Sequence, residues 1–171
     1  MSPPEGLRVV HSSIHGYGVV TTRPFRSGEA VLYGDGVVYH AADDFDDTYA
    51  LLLPAVDGGP EFAAEVEKDG EDAAMFYDLV DQSRWINHSC DPNTKVESRW
   101  DGEAGITRTW WVALRDIPVG EELHYDYAFA PDVAEPCNCG APTCRGVICD
   151  PDELDDLPEQ LGRLVRTKRA S

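Results

Sequence analysis

The sequence predicts a mainly β chain with short helices, and three observations carry that prediction. Residues 94–100 and 106–114, joined through Asp-Gly-Glu-Ala-Gly, give the clearest β-hairpin signal in the chain. Leu123, Tyr125 and Tyr127 alternate as on a strand, behind a turn made by Pro118 and Gly120. The helical signal is strongest at the end, where Leu154, Leu157, Leu161 and Leu164 share a face and Pro158 breaks or restarts the helix. A length of 171 residues suits one domain around one core.

Taken in order, residues 7–10 form a short strand and 11–15 a polar loop. In His-Gly-Tyr-Gly-Val-Val-Thr-Thr at 15–22, the β-branched run reads as a strand. Gly16 and Gly18 there permit a positive φ or close approach of backbone to a ligand. Residues 24–29 turn, and 30–33 with 36–40 read as a second strand pair broken at Gly34-Asp35-Gly36. The composition then shifts. Residues 41–72 hold eleven acidic side chains and one lysine, which reads as a solvated surface insert or as an acidic wall facing a basic substrate. Within it, 51–53 and 62–66 are expected as short helical turns, and 73–80 is an apolar run leading on.

Charge narrows the partners. The formal charge of -18 repels phosphate backbones and attracts basic peptides, so direct nucleic-acid binding is not expected. The N-terminus lacks a signal peptide's basic and apolar regions and no apolar run nears membrane-spanning length. A soluble, intracellular protein without a membrane partner is expected, cytoplasmic if the source is bacterial; the excess of Arg over Lys with abundant Ala, Gly, Asp and Val hints at a GC-rich genome. Composition says nothing of the oligomeric state.

Arg84-Trp-Ile-Asn-His-Ser-Cys-Asp-Pro92 is the densest stretch of chemistry. Trp85 and Ile86 read as the buried end of an element, after which Asn87 to Cys90 turn through the interior. Polar groups this dense inside a core need partners and usually surround something. Of five cysteines, four crowd into 137–149, a pattern suited to metal rather than to disulfides. Cys137, Cys139 and Cys144 follow C-x-C-x4-C spacing, with Gly140 and Pro142 for the turn. A closed zinc site takes four ligands. Cys149 would complete a self-contained knuckle, and Cys90 would tie the tail to the core.

These pieces together resemble the SET-domain protein-lysine methyltransferases across residues 7–149. His15-Gly-Tyr-Gly-Val-Val is similar to the family's first cofactor motif, Arg84-Trp-Ile-Asn-His-Ser-Cys-Asp-Pro-Asn93 to its second and Gly120-Glu-Glu-Leu-His-Tyr-Asp-Tyr127 to its third. The cysteine tail resembles the post-SET segment of trithorax-type members. The resemblance implies a β-clip fold of several small curved sheets with knot-like C-terminal threading. It implies a SET domain over 7–130 with 41–72 as internal insert, a zinc-bound post-SET segment over 131–149, and a C-terminal helix and basic tail over 150–171. S-adenosylmethionine would lie against His15, Gly16, Tyr17, Gly18, Arg84, Asn87, His88 and Tyr127. Tyr127 matches the catalytic tyrosine and Tyr125 the position that sets how many methyl groups are added. Cys90, Cys137, Cys139 and Cys144 would hold one structural Zn2+. Tyr33 is the candidate for a second channel tyrosine, Trp85 stands where Phe is usual, and Val147 where a larger aromatic is common.

The function so implied is methyl transfer to a lysine in a basic, histone or histone-like tail, stopping at mono- or dimethylation. Deprotonating a free lysine at pH 7 costs about 4–5 kcal/mol, which an apolar channel and a neighbouring sulfonium reduce. A tyrosine hydroxyl orients the amine without a competing full charge. The alternative reading is an inactive SET-like protein-binding module. The terminal Val165-Arg-Thr-Lys-Arg-Ala-Ser resembles a histone amino-terminal sequence, so Lys168 is an automethylation or pseudosubstrate candidate beside the plainer reading of a frayed basic end.

Overall fold

The structure, a computed structural model, describes residues 5–169, with side chains through Val165. The Lys168 expectation therefore lies outside the described side chains. Twelve short strands and two helices follow one another: β1 (Leu7–His11), β2 (Tyr17–Thr21), β3 (Ala30–Gly34), β4 (Gly36–Tyr39), β5 (Ala50–Pro54), α1 (Ala63–Asp69), β6 (Ala74–Leu79), β7 (Asn87–His88), β8 (Thr94–Asp101), β9 (Ile106–Ala113), β10 (His124–Tyr125), β11 (Glu135–Pro136), β12 (Val147–Ile148) and α2 (Glu159–Arg169). They make five small sheets: β1-β2, β3-β9-β8, β4-β6-β5, β7-β10 and β11-β12. The chain is mainly β with few short helices, as expected.

The β8-β9 hairpin forms as its alternation requires, burying Thr107, Thr109, Trp111 and Ala113 on one face. The pair expected from 30–33 and 36–40 does form two strands, but they do not pair with each other. Each joins a different sheet, β3 against β9 and β4 against β6. Gly34-Asp35-Gly36 is thus a crossing between sheets and not a hairpin turn.

The surface-insert reading of 41–72 is corrected more deeply. Residues 51–53 are not a helical turn but the middle of β5, paired with β6 through Leu52↔Phe76 and Leu53↔Met75. Leu51, Leu53, Ala55 and Phe62 are buried with Met75, Tyr77 and Leu79 in the main core. A 3₁₀ segment, Ala55–Phe62, carries the chain to α1, and α1 confirms the turn expected at 62–66. The acidic residues are the outer side of a structural wall whose inner side is apolar.

At the other end, Val147, Cys149 and Val165 form a separate buried cluster, with Ala134, Leu154, Leu157 and Leu161 against it. Pro158 does restart the helix, but Val165 and not Leu164 completes the packed face; Leu164 stays 41% exposed. Because Phe62 is fully buried and ring-stacked on His40 at 4.2 Å, Phe62→Ala is expected to cost about 3–5 kcal/mol of unfolding free energy in urea titration. A dispensable surface insert would show almost no change.

Candidate active site and metal centre

Three chain segments meet where β7 lies parallel to β10, with Asn87 opposite His124 and His88 opposite Tyr125. The Asn87 side chain donates to the Tyr17 carbonyl at 2.8 Å, the His15 carbonyl at 3.3 Å and Glu122 Oε1 at 2.9 Å. Glu122 also accepts from the Ser12 hydroxyl at 2.8 Å. Gly16 has φ +48°, which a side chain would strain, and a Cβ on Gly18 would fall 2.3 Å from Glu122 Oε1. The glycines thus let the loop at 12–18 close onto the carboxylate. Glu122 lies inside a motif read in the sequence, yet its role in holding the loop was not legible there.

The tyrosines gather on the other side of β7. Tyr127 donates its hydroxyl to the Ile86 carbonyl at 2.9 Å, and its backbone N–H donates to His88 Nδ1 at 3.2 Å. The Tyr125 and Tyr127 rings are 4.7 Å apart, and Tyr125 meets the edge of fully buried Trp111 at 5.9 Å. Burial, reinforced by the nearby Tyr49 phenol, pushes the Tyr127 hydroxyl up to about 12, and burial raises the Tyr125 hydroxyl well above the usual phenol range. Tyr49 is a residue that sequence reasoning missed, since it lay in the segment read as an insert. It meets the Trp85 ring at 5.5 Å and carries the Arg84 guanidinium over its face at 4.0 Å. Tyr17, exposed beside Trp85 at 5.3 Å, extends this aromatic wall. Tyr33 does not join it. It is 67% exposed on the β3-β9-β8 sheet, opposite Trp110, so the expectation of a second channel tyrosine there is corrected.

Burial drives His88 down to about 4, only partly offset by Asp126, so the ring is neutral at pH 7. Nδ1 accepts from Tyr127, which leaves the proton on Nε2, 3.4 Å from Cys90 Sγ. His88 therefore joins the tyrosine loop to the cysteine cluster. In that cluster the ligand atoms of His88, Cys90, Cys137 and Cys139 lie within 4.8 Å of one another. Cys90 and Cys137 sulfurs are 3.7 Å apart. The edge of a tetrahedron with ~2.3 Å zinc–sulfur bonds is about 3.8 Å, so the spacing fits zinc. Backbone N–H groups of Cys90 and Cys139 point at neighbouring sulfurs at 3.5 and 3.4 Å. Burial pushes the Cys90 thiol up to about 11, whereas hydrogen bonds overcome burial at Cys139 and bring it to about 7. Crowded thiols with opposed acidities are what a cation resolves, and the cluster can hold a zinc ion. Cys144 sits beside it, its Sγ 3.9 Å from the Cys137 carbonyl. Cys149 is fully buried in the tail's own apolar cluster, outside this group.

The family model described as SET domain matches residues 16–128, and the chain belongs to the SET-domain family. Histone-lysine N-methyltransferase ash1 of Drosophila melanogaster is 34% identical over 144 residues, 78% of this chain and 6% of that protein. Histone-lysine N-methyltransferase 2B of Homo sapiens is 35% identical over 144 residues, 82% of this chain and 5% of that protein. A crystal structure of KRYPTONITE in complex with mCHH DNA, an H3(1-15) peptide and SAH aligns with TM-score 0.59 and 26% identity, over 83% of this chain and 29% of that one. The chain thus spans a small part of the length of these relatives. No helix among the described residues is long and apolar enough to cross a membrane. Native mass spectrometry of the purified chain is expected to show one zinc ion, and Cys137→Ser to lose it to a chelator that leaves the wild type loaded.

Proposed function

We propose that this chain is an S-adenosylmethionine-dependent protein-lysine N-methyltransferase acting on a basic, histone or histone-like tail. The observation that carries the reading is the paired phenols of Tyr125 and Tyr127, held neutral by burial beside the Asn87-His88 strand and the glycine loop it clamps. Relatives named as histone-lysine methyltransferases, and a structural neighbour holding SAH and an H3 peptide, support it. That neighbour also holds DNA, but a charge of -18 here favours a basic peptide over a phosphate backbone.

When bound, S-adenosylmethionine supplies a methyl group on a sulfonium. His15, Gly16, Tyr17, Gly18, Arg84, Asn87 and His88 are the residues that would border it. The Asn87 and His88 side chains are committed to internal hydrogen bonds, so backbone groups are what they have left to offer. Tyr127 spends its proton on the Ile86 carbonyl. Its oxygen lone pairs remain to accept an N–H from a neutral lysine amine and so aim the amine's own lone pair. The apolar edges of Trp111 and Trp85 disfavour the ammonium form. Tyr125 fills volume a trimethylated amine would need, which supports mono- and dimethylation. Cys144 is the fourth zinc ligand in this reading, because a metal on His88 Nε2 would move the ring's proton to Nδ1, which already accepts the Tyr127 N–H.

Wild-type chain is expected to transfer labelled methyl from S-adenosylmethionine to histones or basic lysine peptides, with mass spectrometry showing mono- and dimethyl products. Tyr127→Phe is expected to lower kcat by about 10²-fold through lost orientation. No transfer by the wild type, or full rate in the variant, refutes the assignment. With Tyr127 pushed up to about 12, its hydroxyl stays protonated throughout neutral and mildly alkaline solution. The rate should therefore climb with pH as the substrate amine deprotonates, and no descending limb should appear below about pH 11. A fall between pH 8 and 10 would mean that a tyrosinate forms early and that burial does not hold Tyr127 protonated.

A further inference from the structure

The cysteine tail is fastened to the tyrosine loop by a contact in which no metal takes part. Arg145, next after Cys144, grips Asp126 with two points of its guanidinium: Nη1 to Oδ2 at 2.7 Å and Nη2 to Oδ1 at 2.8 Å. Both side chains are largely buried, at 14% and 23% exposure. Nη2 also donates to the Cys149 carbonyl at 3.1 Å, so the fork is braced against its own segment. Two-point pairs of this kind fix direction as well as distance.

Asp126 lies between Tyr125 and Tyr127, and its Oδ1 accepts the backbone N–H of Ala128 at 3.2 Å. Ala128 has φ +47°, the only positive φ outside glycine among the described residues. A side chain in that region is strained and persists only where its surroundings hold it. One carboxylate oxygen therefore receives both the arginine of the tail and the amide of the strained residue just past Tyr127. One residue further, the Phe129 carbonyl accepts from Asp150 N–H at 2.9 Å. The chain leaving Tyr127 is tied to the tail on both sides of its bend.

We propose that Arg145 is a positioning residue: through Asp126 it holds the bend at Ala128, and the bend sets where the Tyr127 hydroxyl points. The latch works alongside zinc and does not depend on it for its contacts. The inference rests on the role given to Tyr127 above.

The test compares zinc-loaded wild type with Arg145→Met, Arg145→Lys, Asp126→Asn and the Asp126→Asn/Arg145→Met double variant. Three readouts are taken: kcat against peptide KM, zinc per chain by native mass spectrometry, and amide exchange of the peptide covering 124–130. Arg145→Met is expected to lower kcat 10- to 100-fold with KM within threefold, keep one zinc and lose exchange protection at 124–130. Arg145→Lys, which keeps the charge but not the fork, is expected in between. The double variant should be no worse than the worse single. Additive losses, a change confined to KM, zinc lost in step with activity, or unchanged exchange at 124–130 would each overturn the proposal. Should Arg145→Met fail to fold, Arg145→Lys and Asp126→Asn decide the same questions. If the wild type transfers no methyl, the functional reading fails while the exchange arm still decides the latch.

Discussion

Asn87 and Glu122 are polar groups taken out of water, and the centre of this molecule is arranged around satisfying them. The Asn87 carboxamide reaches two carbonyls of the glycine loop and the carboxylate of Glu122; the carboxylate in turn holds Ser12. Leaving one such partner unmade costs about 1–3 kcal/mol. Meeting all of them requires β2, β7 and the lead-in to β10 to converge at one point. That convergence is why β7 and β10, separated by the whole β8-β9 hairpin, run parallel side by side. It also explains why a two-residue strand is buried on both residues.

The parts of the fold legible in the sequence were those whose period is local. The two strands of the β8-β9 hairpin are joined by a short Gly-containing turn, so their existence and pairing could be read from neighbouring residues. Leu51-Leu52-Leu53 has no alternation, and a short apolar run does not distinguish strand from helix. It became β5 because β6 offered an open edge and Met75, Tyr77 and Leu79 offered a face, neither of which can be read within three residues. The same limit explains the misjudged pairing of β3 and β4, since partner choice is a long-range property. In the site, the motif residues were visible because each is chemically unusual where it stands. Tyr49 was not, because one tyrosine in an acidic stretch looks like any other until the fold carries it beside Trp85. Asp126 and Arg145 were equally silent: a surface charge and one half of a buried pair read alike in sequence.

Burial is the shared cause behind the electrostatics of the centre. The same desolvation that keeps His88 neutral keeps the phenols of Tyr125 and Tyr127 protonated. A neutral His88 can accept from Tyr127 and donate toward Cys90 at once; a charged one could only donate. The tautomer thus links the orientation of the tyrosine loop to the state of the cysteine cluster, with no charge stored between them.

The tail reaches this buried centre at Cys90 and at Asp126. The tail has only a small apolar cluster of its own around Val147, Cys149 and Val165. A segment of this size, rich in Gly and Pro, cannot offset the entropy of ordering itself. It is held by converging thiols on one side and by the Asp126–Arg145 fork on the other. The fork and the Phe129–Asp150 hydrogen bond flank the bend after Tyr127, so ordering the tail and fixing the phenol are one structural event. In a chain with a charge of -18, the two carboxylates at this centre are each held, Glu122 by the Asn87 amide and Asp126 by the Arg145 guanidinium.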